Sequence, residues 1–133
     1  MEGHVVNDDD VRFEGLTIYL AKEGVEKSSD AFKDVLVGTG GTLAEIYKDY
    51  ALRLAPVSQD EAEEMIARVK GLATLRGYRG LPRGDVRALA HVVAALSRLA
   101  LIAGRPVAEA EANPVIVMGK GAVAVDGVVV MKE

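Results

Sequence analysis

Three oxygen-bearing side chains near the C-terminus have a spacing that could let them share one hard cation. Gly119–Lys120 fits a two-residue hairpin turn of type II′, which requires glycine at its first central position. Counting outward from that turn places Asn113 directly opposite Asp126, with Cβ atoms about 4.5–5.5 Å apart. Glu111 lies one same-face step further along, within diagonal reach of Asp126. Such an all-oxygen set suits Mg²⁺, which keeps waters and shares its remaining positions with phosphate oxygens.

A purely structural interpretation explains the same residues. Asn113–Pro114 could bend a strand, Asp126–Gly127 could form a turn, and acidic residues on one strand face are usually solvated. A three-residue loop or a bulge would also spoil the register. On spacing alone the structural interpretation is the better one. Asp126 argues against it, because it interrupts a run of Val and Ala that we expect to be buried, where a lone carboxylate is costly unless paired or bound to metal.

Two further features could contact phosphate. The turn at Gly38–Gly41 contains Gly38, Gly40 and Gly41, and could present backbone N–H groups to an anion, although a plain turn explains it as well. It is not a P-loop, because no Gly-Lys-Ser/Thr sequence follows. Arg53, flanked by two leucines, could clamp a phosphate or simply pair with an acid.

The elements that must position these residues begin with extended segments. Leu16–Ala21 and Phe32–Val37 are predicted strands. The next segment has helical spacing in part, but flanking Gly and Pro favour a hairpin with arms Thr42–Tyr47 and Ala51–Ala55 that turns at Lys48–Asp49.

Two helices follow. Ser58 with Glu61 three residues later forms a capping box, and Gly71 fits the end of that helix. Asp85 caps a second helix with a wide apolar stripe, which Gly104 and Pro106 should end. So wide a stripe predicts that this helix packs deeply against a sheet; its members are Leu89, Val93, Leu96, Leu99, Ala100 and Ala103.

The C-terminal segment predicts a long hairpin. From Val107 to Asn113 small and polar residues alternate, which places Glu109, Glu111 and Asn113 on one face of a strand that continues to Met118. Gly121–Met131 is the return strand. The chain is therefore predicted to be α+β: after an acidic tail at residues 1–10, a single domain at 11–133 with a mostly antiparallel sheet and two main helices packed on one face.

Composition excludes several classes of protein. The 133 residues carry a net charge of −4 with no basic block, so nucleic acid is not the expected partner. The absence of Cys excludes a disulfide scaffold, a cysteine zinc site and a thiol nucleophile. The acidic start does not resemble a signal peptide, and the most apolar stretch, Ala88–Ala103, is too short to span a bilayer. We expect a soluble, cytoplasmic protein that does not bind membranes.

From about Phe32 to Met131 the sequence resembles a known family. Four motifs occur in the order and at the spacing of the C-terminal half of the ATP-grasp domain of ADP-forming (NDP-forming) acyl-CoA synthetases, acetate–CoA ligase-like enzymes related to the succinyl-CoA synthetase β subunit. The motifs are GTGGTLAEIYKDYALRLAPVSQDEAEEMI, GYRGLPRGD, EAEANPVIV and AVAVDG.

The resemblance implies a role for each matching residue. Asn113 and Asp126 would bind the Mg²⁺ that bridges nucleotide phosphates, and Glu111 stands where the family usually carries Asp. Arg53 matches an arginine near the phosphates. Gly40 and Gly41, with Gly38 before them, match the Gly-x-Gly-Gly turn of the family, and Glu45 matches an acidic position after it. The implied cofactors are Mg²⁺ and ATP or ADP.

The resemblance also implies partners. The family's nucleotide domain is much longer on its N-terminal side, and its phosphohistidine relay needs a CoA-binding domain. We therefore expect a complementing N-terminal ATP-grasp chain and a CoA-binding chain, and an apolar surface awaiting a partner. The alternative hypothesis is a non-catalytic remnant that acts as a protein-interaction or homodimerisation module, and a homo-oligomer is compatible with either.

Overall fold

Most of the described chain belongs to one antiparallel sheet. The computed structural model describes residues 11–21, 34–40, 48–102 and 107–131. The sheet has the order β3-β2-β1-β4-β5, with β6 also paired to β4, and every pairing is antiparallel. The strands are β1 (Val11–Ala21), β2 (Asp34–Thr39), β3 (Tyr50–Leu54), β4 (Val107–Met118), β5 (Ala122–Ala124) and β6 (Gly127–Met131).

Two α-helices, α1 (Gln59–Arg68) and α2 (Val86–Ser97), share one buried cluster with the sheet. Ile18, Val37 and Ala112 form one cross-strand row, and their side chains belong to the same cluster as Met65 of α1 and Val93 of α2. Each large apolar side chain buried here contributes about 1.5–3 kcal/mol. The predicted α+β class, with a mostly antiparallel sheet and two main helices, is confirmed.

The first strands differ in length from their predictions. β1 begins at Val11 instead of Leu16, and its pairing with β4 shifts register twice before Leu16 and once between Leu16 and Ile18. β2 runs from Asp34 to Thr39, past the predicted end at Val37. β3 confirms extended structure at the predicted second hairpin arm, but it pairs with β2. The predicted tail at 1–10 and the predicted first hairpin arm at 42–47 lie outside the described residues.

The first helix ends at Arg68, before its predicted end at Gly71, and a short 3₁₀ helix follows at Lys70–Arg76. Its Leu72 and Leu75 are buried in the core. Asp49 holds it in place, because its carboxylate accepts hydrogen bonds from the backbone N–H of Lys70 at 2.9 Å and of Gly71 at 2.7 Å. A Cβ at Gly71 would lie 2.9 Å from that carboxylate, so glycine here permits a close approach.

Both predicted helix starts are confirmed. Ser58 and Glu61 exchange the two hydrogen bonds of the capping box. Asp85 caps α2 by accepting the Ala88 N–H. The second helix ends earlier than predicted, at Ser97, and the chain continues as a 3₁₀ turn to Leu101. The Ser97 hydroxyl donates to the Ala94 carbonyl and accepts the Val57 N–H, which anchors this tightened end to the loop after β3.

The C-terminal hairpin has the predicted register. Val115 pairs with Ala124, and Ala112 pairs with Gly127, as expected for the Gly119–Lys120 turn. On its other side β4 carries a bulge, because Thr17 of β1 faces the two residues between Ala112 and Val115. The bulge lies at Asn113–Pro114 and shifts the alternation by one residue, so that both Ala112 and Val115 are buried. Proline is tolerated at this point because a bulged residue does not need to donate an N–H to the neighbouring strand β1.

Within the described ranges, no helix is long and apolar enough to cross a bilayer.

Candidate functional site

The three predicted metal ligands line one small cavity. Glu111, Asn113 and Asp126 surround it together with Gly127 and Val128, and its volume is about 180 Å³. The Asn113 N–H donates to the Asp126 carbonyl at 3.1 Å, so the two residues are directly opposed across the hairpin. The two groups therefore share a face of the sheet, and the hairpin interpretation of their spacing is confirmed.

Hydrogen bonds orient the polar groups of this cavity. Asn113 Nδ2 donates to Glu111 Oε1 at 3.2 Å, which joins the two side chains on one face of β4. Asp126 Oδ1 accepts the N–H of Gly127 at 2.8 Å. Asn113 itself lies in the bulge of β4.

The prediction that Asp126 lies within a buried stretch of Val and Ala is wrong. Asp126 is exposed, and so are the valines on either side, with Val125 55% and Val128 57% exposed. In the described part of the chain β5 and β6 form the outermost strands of the sheet, which leaves their far side uncovered. An exposed carboxylate carries no burial penalty, so the case for a metal rests on the convergence of the ligands and no longer on desolvation.

The donor set fits Mg²⁺ only as part of a larger shell. Across the described ranges, no group of three or more His, Cys, Asp or Glu side chains could hold a metal. The cavity instead offers two carboxylates and one amide. Mg²⁺ is usually bound by one or two carboxylates together with waters and substrate phosphates, so this incomplete set suits a metal that arrives with a phosphate-bearing ligand.

Arg53 lies away from this cavity. It pairs with Val35 of β2, Val35 pairs with Leu20, and Leu20 pairs with Ala110 of β4, so three strand spacings, about 14 Å, separate Arg53 from β4. This row faces the helices, whereas Glu111 points to the other face.

Arg53 instead pairs with two acids of α1. Its Nη1 lies 3.2 Å from Glu64 and 3.5 Å from Glu61, which is the ion-pair alternative left open by the sequence. The capping hydrogen bonds of Ser58, and next to them Arg53, lower the pKa of Glu61. A phosphate-binding role for Arg53 stays a prediction.

The glycine turn is described only in part. Gly40 has φ +108°, its N–H donates to the Gly15 carbonyl at 2.8 Å, and its carbonyl accepts the Thr17 hydroxyl at 2.7 Å. That amide is already bonded within the sheet, so phosphate contact through it would require the bond to Gly15 to open. Gly41 and Glu45 lie outside the described residues.

Two features around the site were missed by the sequence analysis. Tyr19 of β1 pairs with Glu111, and its hydroxyl donates to Glu109 Oε2 at 2.6 Å. Both contacts join positions some ninety residues apart, so only the order of the strands reveals them.

The second feature fastens the hairpin to α2. Asp85 Oδ1 accepts the Ala88 N–H at 3.0 Å, Oδ2 accepts the Gly121 N–H at 2.8 Å, and the Asp85 N–H donates to the Met118 carbonyl at 2.9 Å. The two backbone donors, Ala88 first and then Gly121, hold the pKa of Asp85 below its ordinary value. Asp85 thereby ties the turn of the site-bearing hairpin to the helix.

Comparison with known proteins identifies the family of this chain. The profile of the ATP-grasp domain matches residues 10–131. The Archaeoglobus fulgidus acetate–CoA ligase [ADP-forming] II is 34% identical over 110 residues, which are 83% of this chain and 16% of that protein. Subunit beta of the Pyrococcus furiosus acetate–CoA ligase [ADP-forming] II is 32% identical over 82% of this chain and 47% of its own length.

A solved structure shows the same fold. It is the dinucleotide-forming acetyl-coenzyme A synthetase 1 of Ca. Korarchaeum cryptofilum, in complex with coenzyme A and Mg-AMPPCP. The TM-score is 0.73 at 31% identity, over 88% of this chain and 52% of that one. The chain thus spans about half, or less, of the proteins that it matches. The match over nearly all of its length shows that this chain belongs to the ATP-grasp domain family, as a relative of the ADP-forming acetate–CoA ligases.

Proposed function

We propose that this chain is the Mg-nucleotide, phosphate-side half of the nucleotide-binding unit of an ADP-forming acyl-CoA synthetase. The reaction would be acyl-CoA + ADP + phosphate ⇌ acid + CoA + ATP. The observation that carries the proposal is the cavity in which Asn113, Asp126 and Glu111 converge on one face of the hairpin. Membership in the ATP-grasp family supports the same assignment.

In this proposal Asn113, Asp126 and Glu111 hold Mg²⁺, which when bound would offset the negative charge of the nucleotide phosphates. Asp126 supplies an exposed carboxylate oriented by the Gly127 N–H. Asn113 and Glu111, joined by their hydrogen bond, present further oxygens from β4. The chain offers no second wall opposite this cavity within the described residues, so closing around a nucleotide requires another polypeptide or domain.

We assign the remaining part of an ATP-grasp domain to the exposed apolar edge of the sheet that β6 forms. Val129 and Val130 of β6 are 52% and 43% exposed, and an apolar groove of about 340 Å³ separates β6 from α2, lined there by Leu96 and Leu99. Relatives are about twice as long or more, which supports a complementing segment as the occupant. Exposed apolar area of this kind marks protein-interaction surfaces. A CoA-binding chain would complete the enzyme.

Calorimetric titration of Mg-ADP tests the nucleotide site. The chain is titrated alone and together with the remaining part of the Pyrococcus furiosus subunit beta. We expect binding heat in the assembled protein, at least about tenfold weaker binding with Asp126→Ala, and unchanged binding with Asp60→Ala, an exposed acid of α1. An assembled protein that gives no heat, or an Asp126→Ala variant that binds normally, would refute the metal site.

The partner surface is tested separately. Val129→Lys should weaken assembly with the complementing polypeptide, whereas Leu54→Lys, 49% exposed at the opposite edge of the sheet, should not. Analytical ultracentrifugation reads out both variants. Equal effects of the two variants would contradict the assignment of the β6 edge.

The alternative is a non-catalytic homodimerisation module. The same exposed β6 edge favours it, because an unpaired strand edge can pair with a second copy. A dimer of the purified chain that Val129→Lys dissociates, together with absence of Mg-ADP binding in the assembled protein, would favour this second function over the first.

A further inference from the structure

A second cavity, remote from the carboxylates, is lined by arginines. Its volume is about 670 Å³, and it lies between the loop before α2, the first turn of α2 and the turn between β4 and β5. Its wall includes Leu75, Arg76, Arg83, Asp85, Arg87 and Gly119. We call this the arginine cavity. Gly119 lies six residues beyond Asn113 along the hairpin, about 20 Å at the rise of a strand, and the two cavities share no lining residue.

The guanidinium groups here carry uncompensated charge. In the part of the chain that the structure describes, Arg76, Arg83 and Arg87 form no ion pair. Arg76 uses one N–H on the Ala67 carbonyl at 3.2 Å, which leaves its other donors to the cavity.

A fourth arginine lies beside the cavity. Arg12 Nε donates to the Arg83 carbonyl at 3.3 Å, and Arg12 Nη2 lies 2.9 Å from where a Cβ of Gly119 would stand. Glycine at 119 therefore lets this guanidinium lie against the turn. Arg76, Arg83 and Arg87 therefore concentrate positive charge at one place on a chain of net charge −4.

The one acid in the wall, Asp85, offsets at most one of these positive charges. Both carboxylate oxygens of Asp85 accept backbone hydrogen bonds, from Ala88 and from Gly121, so they are turned to the protein. Arg87 is near enough to stabilise the Asp85 anion, yet makes no ion pair with it.

We propose that the arginine cavity binds the diphosphate group of a small molecule. Guanidinium forks match phosphate oxygens in pairs, and a diphosphate carries enough negative charge to engage several of them at once. The volume of about 670 Å³ is within the range of small-ligand sites, about 300–1,000 Å³. This inference does not depend on the proposed Mg-nucleotide site, because the two cavities have no residue in common.

Calorimetric titration with inorganic pyrophosphate in Mg²⁺-free buffer at low salt tests the inference. We expect saturable binding by the full chain that weakens as salt is added. Arg83→Gln with Arg87→Gln should weaken it by about tenfold or more. Arg98→Gln, an exposed arginine at the far end of α2, and Asp126→Ala should leave it unchanged within about twofold.

Two further measurements identify the source of the diphosphate group and test the site without a variant that could misfold. Tighter binding of ADP than of pyrophosphate, still without Mg²⁺, would indicate a nucleoside-borne diphosphate, and equal binding a free one. In the unmodified protein, pyrophosphate should shift the amide resonances of Gly84 and Gly119, which needs no variant. The inference is overturned by absence of saturable binding up to about 10 mM, by equal losses in the Arg98 variant, or by a Glu-rich peptide that binds more tightly than pyrophosphate.

Discussion

Asp85→Ala tests whether one side chain holds the site-bearing hairpin against α2. The substitution removes two hydrogen bonds, those from the N–H groups of Ala88 and Gly121, and retains the backbone bond to Met118. Loss of a helix N-cap costs about 1 kcal/mol. Loss of the charge-assisted bond to Gly121, on a partly exposed group, adds about 1.5 kcal/mol. We therefore expect the free energy of unfolding to fall by about 2–3 kcal/mol.

Urea unfolding followed by circular dichroism at neutral pH measures this change. A loss of that size in a domain of this length lowers the melting temperature by roughly 8–12 °C. The slope of the unfolding free energy against urea should stay unchanged, because the variant still folds to the same structure.

Asp60→Ala is the matched control. Asp60 also lies in the first turn of a helix, but it caps nothing, so its removal should cost at most about 0.5 kcal/mol through the helix dipole. If Asp85→Ala costs no more than Asp60→Ala, the bond to Gly121 does not stabilise the fold, and the argument that Asp85 positions the hairpin fails.

Three further predictions concern stability. The pKa of Asp85 is held below its ordinary 3.8, so the stability that the Asp85 carboxylate contributes is complete above that value and is lost as pH falls through the lowered pKa. In urea titrations, the native protein should therefore be more stable than Asp85→Asn by an amount that shrinks below about pH 3.8. A difference that stays constant with pH would contradict this prediction. Gly84→Ala should lower the free energy of unfolding by about 1–3 kcal/mol, because the added Cβ would collide with Leu75. Gly127→Ala is the control and should be near neutral, because a Cβ there makes only ordinary contacts. Equal melting temperatures of the two variants would refute this prediction. Arg53→Met should lower the free energy of unfolding by less than about 1 kcal/mol in the same titration, because the acidic partners of Arg53 on α1 are 45% and 64% exposed. A larger loss would show that Arg53 stabilises the fold by more than these ion pairs.

Features set by a few neighbouring residues could be predicted from the sequence. The capping box at Ser58, the cap at Asp85 and the register of the C-terminal hairpin each depend on residues that are close along the chain or linked by one short turn. The placement of Asn113 opposite Asp126 follows from that turn alone, because strand pairing in a hairpin is fixed once the turn is known.

Other features depended on which strands become neighbours. Arg53 could have bound phosphate or an acid, and the position of α1 beside β3 gave it Glu61 and Glu64. The valines after Ala122 read as buried by composition, but their strands lie at the edge of the described sheet, where nothing covers them. Apolar composition indicates that a segment can be buried, but it does not show that another element is present to cover it.

The sequence by itself determined the local geometry of this protein: where its helices start, where the hairpin turns, and which acid and amide face each other across it. Only the tertiary structure decided what surrounds them: the bulge opposite Thr17, the bond from Gly121 to Asp85, and the four arginines gathered at the far end of the hairpin. The reason is physical. Local geometry follows from backbone sterics and short-range hydrogen bonds, whereas contacts between distant residues depend on how the whole core packs.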